Sequence, residues 1–335
     1  MLVETVSSAI SFDLDRFLPR IEASILAAKN ISWERITSQP EGHLALTFCQ
    51  AVNNFFQPYF QDPHQLLVDN LHLKQEKPGT SPAYAFDHLA EMILFRILEN
   101  SPFNITCFSE ESGWQKNVGQ NGKELKLVVD PFDESSFFAK RISEPNNKKY
   151  ITQGAAITIT DRQNNWLATA LLDMPNERLV FGAFDQEPKQ IFLRQEGKKI
   201  VILPLRLKKA YEQLLIMGFL DKPERKEKLE KTGIFEKLIV APYPKTLGVW
   251  ALTQLLTGQV DYLTDPHKGQ PWYELVPFVL VKELGGIVKN TNNKEEITLN
   301  DLIRQGEENP KARFQFIAGI NSEKLSRIIK ILKDS

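Results

Sequence analysis

The chain has 335 residues, 42% of them hydrophobic, which is enough for a substantial core in two domains or one large layered domain. Its 41 Lys and Arg against 42 Asp and Glu give a formal charge of −1, excluding a general electrostatic attraction to nucleic acid or anionic membrane, so any anionic ligand must be held locally. Cys49 and Cys107 lie in apolar surroundings and read as reduced core thiols; no apolar stretch is long enough to span a bilayer, and the N-terminus has no basic start ahead of an apolar run. The expectation is an unprocessed cytoplasmic protein.

In chain order, Leu14, Phe17, Leu18, Ile21 and Ile25 make a helical pattern interrupted by Pro19, and residues 1–40 read as a helical packing extension. Leu44, Phe48, Val52, Phe55 and Phe56 predict an amphipathic helix ending near Pro58. Lys74 to Pro82 reads as a loop with turn signals at Pro78-Gly79 and Ser81-Pro82, and a second helix runs from about Phe86 to Ile97. Ile105 to Phe108 reads as a short strand entering the acid pair Glu110-Glu111. The run Leu125, Leu127, Val128, Val129 reads as a buried strand stopped by Asp130-Pro131.

Beyond that point, 155–160, 166–172, 178–184, 190–194 and 199–203 look like successive antiparallel strands, with a hairpin turn at Asp161 to Asn165. The remainder alternates. A charged helical stretch spans about 205–237, followed by a strand at 238–241, a helix at 247–256, a strand at 260–263 and a helix from Trp272 to Leu284 ended by Gly285-Gly286. Strands at Ile287-Val288 and Phe314 to Ala318 and a terminal helix at 322–332 complete the pattern. The expected organisation is an extension at 1–40, an α+β half with an antiparallel sheet and central acid motif at 41–204, and a smaller alternating half at 205–335. The five histidines, His43, His64, His72, His88 and His267, show no ligand spacing, which argues against Zn²⁺.

The chemistry concentrates at Val128 to Phe138. Asp130 and Asp133 follow an apolar run directly and lead into the hydroxyls of Ser135 and Ser136, a grouping that suits Mg²⁺, which prefers oxygen donors and is held by a few carboxylates plus substrate phosphate. By itself the pair also fits a turn in which Asp130 caps and Asp133 is solvated. Likewise Glu110 and Glu111 alone fit a solvated loop, and Asp87 fits a charge at a helix N-terminus.

Taken in order, Asp87-x-x-x-Glu91, Ser109-Glu110-Glu111-Ser112, Asp130-Pro131-Phe132-Asp133-Glu134-Ser135 and Trp272 to Gly286 resemble the inositol monophosphatase and fructose bisphosphatase superfamily of lithium-sensitive sugar-phosphate phosphatases, over roughly residues 44 to 333. Lys245-x-x-Gly248 ahead of Gly258-Gln259-Val260-Asp261 adds to the likeness. The resemblance implies an α/β fold, a layered α-β-α-β-α sandwich. It implies that Glu110, Asp130, Asp133 and the Phe132 carbonyl hold Mg²⁺, that Asp87 and Ser135 orient and activate the attacking water, and that the backbone N–H groups of Glu134 and Ser135 meet the phosphate.

The sequence departs from the family pattern in three places. Tyr273 stands where the family has an acid of the second metal site, Glu134 stands where it has Gly, and Glu187-Pro188-Lys189-Gln190 replaces its Gly-x-Gly-Ala turn. Glu274 replaces the missing acid only if the helix start is rotated or irregular, since neighbouring helical residues point about 100° apart; Glu134 is the other candidate. The implied function is a Mg²⁺-dependent phosphomonoesterase acting on a small inositol, sugar or nucleotide phosphate by a metal-activated water. The alternative is a catalytically degenerate relative serving as a phosphate-ligand-binding or protein-interaction module. The expected partner is a small phosphorylated metabolite, with no nucleic acid and no membrane, and a homodimer is left open.

Overall fold

The computed structural model of the protein describes residues 15–34, 36–75, 83–140, 152–184, 191–195, 198–202, 213–216, 227, 231, 239–242, 248–319 and 322–333. A short ribbon pairs β1 (Lys74–Gln75) with β2 (Ala83–Tyr84). An eight-stranded sheet contains β3 (Asn104–Ser109), β4 (Gly113–Gly119), β5 (Glu124–Asp133), β6 (Gly154–Asp161), β7 (Trp166–Asp173), β8 (Arg178–Ala183), β9 (Ile191–Gln195) and β10 (Lys198–Ile202). Its order is β10-β9-β8-β7-β6-β5-β3-β4; β3 and β5 are parallel and the other neighbours antiparallel. The five-stranded sheet, in the order β12-β11-β13-β15-β14, contains β11 (Gln213–Ile216), β12 (Ile239–Pro242), β13 (Tyr262–Pro271), β14 (Ile287–Asn290) and β15 (Arg313–Gly319).

The helices are α1 (Leu18–Lys29), α2 (Pro40–Gln61), α3 (Gln65–Val68), α4 (Ala85–Glu99), α5 (Ser135–Lys140), α6 (Gly248–Leu256), α7 (Trp272–Leu275), α8 (Val279–Glu283), α9 (Leu299–Glu308) and α10 (Ser322–Lys333). Side-chain alternation along the strands sorts them into layers. In β5, Leu125, Leu127 and Val129 join the core made with α1, α2 and α4, whereas Val128 joins a second core made with α6 to α9 and the inner face of the five-stranded sheet. Tyr262 and Ile317 turn the other way, onto α10. A strand buried on both faces reads as an unbroken apolar run, which is why 127–129 shows no polar alternation. The result is the α-β-α-β-α sandwich expected from the sequence.

Several elements differ from their sequence-based expectation. Pro19 sits at the start of α1, where its missing N–H costs no hydrogen bond, so it opens the helix instead of interrupting it. Helix α2 runs past Pro58 to Gln61, because Phe55, Phe56 and Tyr59 are fully buried and their packing outweighs a penalty of about 3 kcal/mol. Strand β5 continues through Pro131 to Asp133 instead of stopping at Asp130; its pairing with β6 shifts register there, a bulge that accommodates the proline. The stretch 272–284 is α7, a 3₁₀ turn at Val276–Phe278 containing Pro277, and α8, not one helix.

The 205–237 stretch contains strand β11, and most of the rest lies outside the described residues. Residues 1–14, Pro78-Gly79, Ser81-Pro82, Glu187 to Gln190 and Lys245 also lie outside them. Among the elements that carried no expectation from the sequence are β4 and α9. The second had a readable signal, since Thr298 and Asp301 form a capping box at its start, with Thr298 Oγ1 accepting the Asp301 N–H at 3.2 Å.

Candidate active site

The carboxylates of the three central motifs gather where β3 and β5 end. Glu110 follows β3 directly, its N–H donating to the Val129 carbonyl at 3.3 Å. Its Oε1 accepts a hydrogen bond from the Tyr273 hydroxyl at 2.9 Å, and the Asp130 carboxyl lies close enough for the two acids to affect one another's protonation. Asp133 Oδ2 accepts the Val249 N–H at 2.7 Å, in the first turn of α6, where the helix dipole favours an anion. This contact ties the end of β5 to the layer between the sheets. Asp87 is in the first turn of α4 and accepts the Tyr84 N–H at 2.9 Å.

Glu274 reaches the same place. A Cβ on Gly248 would lie 2.9 Å from Glu274 Oε2 and 3.3 Å from Asp133 Oδ2, so both acids close on the glycine that starts α6, and a side chain there would collide with them. The short helix α7 and the 3₁₀ turn after it supply the irregular helix start that this placement requires. Tyr273, one residue earlier, packs against Phe108 with ring centroids 5.4 Å apart and lines the adjoining cleft.

Desolvation dominates the electrostatics, and repulsion among the carboxylates adds to it. Burial pushes Asp130 well above the usual carboxylate range, and Glu110, Asp133 and Glu274 push it further. Burial raises Asp133 to about 7 against the opposing Val249 hydrogen bond. Glu274 is raised well above its ordinary value by burial, then by Asp133, Glu110 and Glu134, with Arg313 acting the other way. Asp87 is raised by burial and by Glu111. Glu110 is raised by desolvation and lowered in turn by the Tyr273 hydroxyl, and it opens on the cleft, where water screens it.

The cleft has a volume of about 830 Å³ and is lined by Asp87, Glu110, Ser135, Tyr273, Lys311 and Arg313 among others. Between β5 and α5, Glu134 adopts φ +62°, a left-handed conformation that costs a residue with a Cβ about 1–2 kcal/mol. Its carbonyl accepts the N–H groups of Phe137 and Phe138 at 3.0 and 3.2 Å, so the turn is built into the start of α5. The chain keeps a backbone shape suited to glycine while carrying a carboxylate there.

Glu110, Asp130 and Asp133 are therefore brought together, while Asp87 and Ser135 line the cleft beside them. The Phe132 side chain turns away into the aromatic core, leaving its backbone in the bulge between the two aspartates. Lys311 and Arg313 had no signal in the sequence, because their approach to the acids depends on how β15 pairs with β13.

The acids match a hard divalent cation in kind. Asp130 Oδ1, Asp87 Oδ1 and Glu274 Oε2 are buried without a hydrogen-bond partner among the described residues, each a cost of about 1–3 kcal/mol that a proton or a cation would relieve. They are not gathered at ligand spacing: among the described residues, no three His, Cys, Asp or Glu side chains are placed to hold a metal ion. Closing these donors on an ion would require side-chain adjustment. Among the described residues no helix is long and apolar enough to cross a membrane.

No protein-family profile matches the sequence, and no curated protein is similar to it in sequence. Solved structures do share its fold. The extragenic suppressor protein suhB from Bartonella henselae is 17% identical with a TM-score of 0.60, the alignment covering 87% of this chain and 99% of that one. An inositol monophosphatase and fructose 1,6-bisphosphatase is 15% identical at a TM-score of 0.61, covering 90% and 100%. An inositol monophosphatase from Thermotoga maritima is 13% identical at 0.57, covering 86% and 94%. The chain thus shares the fold of these inositol monophosphatases along most of its length.

Proposed function

We propose that this chain is a metal-dependent phosphomonoesterase of the inositol monophosphatase kind, acting on a small phosphorylated metabolite. The observation that carries the reading is the crowding of Glu110, Asp130, Asp133 and Glu274 into one patch beside the cleft, with Asp130 and Asp133 buried and Glu274 half-buried, an arrangement that is costly unless a cation neutralises it. Glu110, Asp130, Asp133 and the Phe132 carbonyl would hold Mg²⁺, with Glu274 in place of the acid that Tyr273 displaces. Once bound, the ion would supply positive charge to the phosphoryl oxygens and make an adjacent water a better nucleophile.

The chain's own groups complete the arrangement. Asp87 is held by the Tyr84 N–H through Oδ2 and keeps Oδ1 without a donor, so that oxygen is available to take a proton from a water beside the phosphate. Ser135, at the start of α5, lines the same cleft and would orient that water. The Tyr273 hydroxyl fixes the Glu110 carboxylate, limiting its rotation toward solvent.

A second reading, a phosphate-ligand-binding protein without turnover, is favoured by that same hydrogen bond, because Glu110 Oε1 is engaged by a neutral phenol. A phosphate-release assay over a panel of phosphomonoesters, with Mg²⁺ and then with chelator, separates the two. Release that requires Mg²⁺ supports the enzyme; Mg²⁺-dependent ligand binding without release supports the second reading; release that survives chelation removes both the metal and the acid patch from the chemistry.

A further inference from the structure

Two indoles outside the acid patch join the segments that carry it. Trp114 lies in β4, opposite Phe108 in the ladder and just beyond the turn that bears Glu110 and Glu111. Gln115 Nε2 donates to the Ser112 carbonyl at 2.9 Å, closing that turn. The Trp114 ring stacks on that of Trp272 with centroids 5.8 Å apart and planes 16° from parallel, and the two pack against Phe108 at 5.4 and 4.6 Å. Trp272 is followed directly by Tyr273 and Glu274 in α7. One stack therefore connects the turn of Glu110 to the helix of Glu274.

Helix α9 fixes the orientation of both rings. Trp114 Nε1 donates to the Gly306 carbonyl at 3.2 Å, and Trp272 Nε1 donates to the Pro310 carbonyl at 3.2 Å. The Gly306 carbonyl is open to the indole because a helical carbonyl takes the N–H four residues on, and Pro310 has none. Gly306 is itself dictated by the stack: a Cβ there would lie 2.2 Å from the Trp272 ring, so the helix forgoes alanine, the better helix former, at that position. Lys126 Nζ meets Glu307 Oε1 at 2.5 Å and pins the same end of α9 to β5. Stacked rings alone can slide past one another, whereas two directional N–H bonds remove that freedom. Glu110 and Glu274 repel each other, so the turn and the helix need an attachment that the acids do not supply.

We propose that Trp114 is a positioning residue for the acid site: through Trp272, and braced by Gly306 of α9, it sets the separation of Glu110 from Glu274 and with it the affinity of the site for a divalent cation. Donors held by a rigid outer support bind an ion without first having to be gathered, and loosening such support weakens the ion's hold although no donor is lost. This rests on the metal reading of the acid patch but not on turnover.

The test measures the Mg²⁺ dissociation constant of the full chain by calorimetry without substrate, alongside the thermal midpoint in chelator. Trp114→Leu should weaken Mg²⁺ binding about tenfold, and Trp114→Phe, which keeps an aromatic ring without the Nε1 donor, about threefold. Gly306→Ala should weaken it about tenfold even where the midpoint is unchanged, since alanine favours the helix while displacing the Trp272 ring. Glu307→Gln loosens the same helix without touching either indole and should leave the dissociation constant within about twofold of wild type. Mg²⁺ affinity that survives Trp114→Leu and Gly306→Ala, or that falls as far in Glu307→Gln, overturns the proposal and leaves the metal reading standing. If Trp114→Leu does not fold, Trp114→Phe and Gly306→Ala decide in its place. A wild-type chain that binds no Mg²⁺ rejects the metal reading and the proposal with it.

Discussion

Phe132 and its two acidic neighbours occupy one bulge of β5 and face opposite fates. The Phe132 ring packs against Phe56, Phe86 and Phe138 at centroid distances of 4.8, 5.0 and 5.1 Å, within a core where these rings are almost completely buried. Asp130 and Asp133 are nearly as buried, with 3% and 6% of their surface exposed, yet their neighbours are other carboxylates. The aromatic side is complete within the chain, since each ring supplies what the next one lacks. The acid side is not, and its instability is what suits it to a cation. The same few residues thus hold a rigid support and a deliberately unbalanced charge cluster.

The largest break in this contrast is expected from Asp130→Asn. Phosphate release should fall on the order of a thousandfold or more, while the thermal midpoint in chelator should rise, because repulsion is removed along with a ligand. A fall in both would show that the acid end is structural. On the aromatic side, Phe132→Ala should cost about 3–5 kcal/mol of stability in denaturant titration, with no dependence on Mg²⁺ concentration in its size.

A smaller effect comes from pH. Asp133 binds its proton more tightly folded than unfolded, its value moving from 3.8 to about 7, so its contribution is full below about 4 and is lost as pH rises through 7. Melting in chelator should therefore be lower at pH 8 than at pH 5.5, by roughly 5 °C, and Mg²⁺ should shrink the difference. A midpoint that rises with pH would show that these acids are not repelling one another. The smallest change, Glu134→Gly, should stabilise the fold by about 1 kcal/mol by relieving the positive φ. Mg²⁺ affinity should hold or rise in this variant; a fall would mean that Glu134 has itself become a ligand.

The Glu110 and Asp130 motifs were legible because each comes at the end of an apolar strand, and a strand end fixes where the following side chain goes. Elements whose course depends on packing were less so. Pro58 looked like a helix end because local propensity is blind to the buried Phe55, Phe56 and Tyr59 that carry α2 beyond it. Residues 213–216 carried no period that separated a strand from the charged surroundings. The place of Glu274 turned on whether residues 272–284 form one regular helix, and Pro277 with its 3₁₀ turn decides that they do not. Lys311 and Arg313 reach the cleft through strand pairing across distant segments, which no local pattern encodes.

The stacked indoles of Trp114 and Trp272, 5.8 Å apart and 16° from parallel, give the cleft an optical reporter of its own. Trp272 is fully buried and is joined by one peptide bond to Tyr273, whose hydroxyl touches Glu110. Two aromatic chromophores at this separation couple their transitions, so the near-ultraviolet circular dichroism of the protein carries a signature of this pair. Any event that reorients Glu110 passes through Tyr273 to that pair, so binding of a cation at the proposed site would be read in intrinsic fluorescence without a label or a substrate.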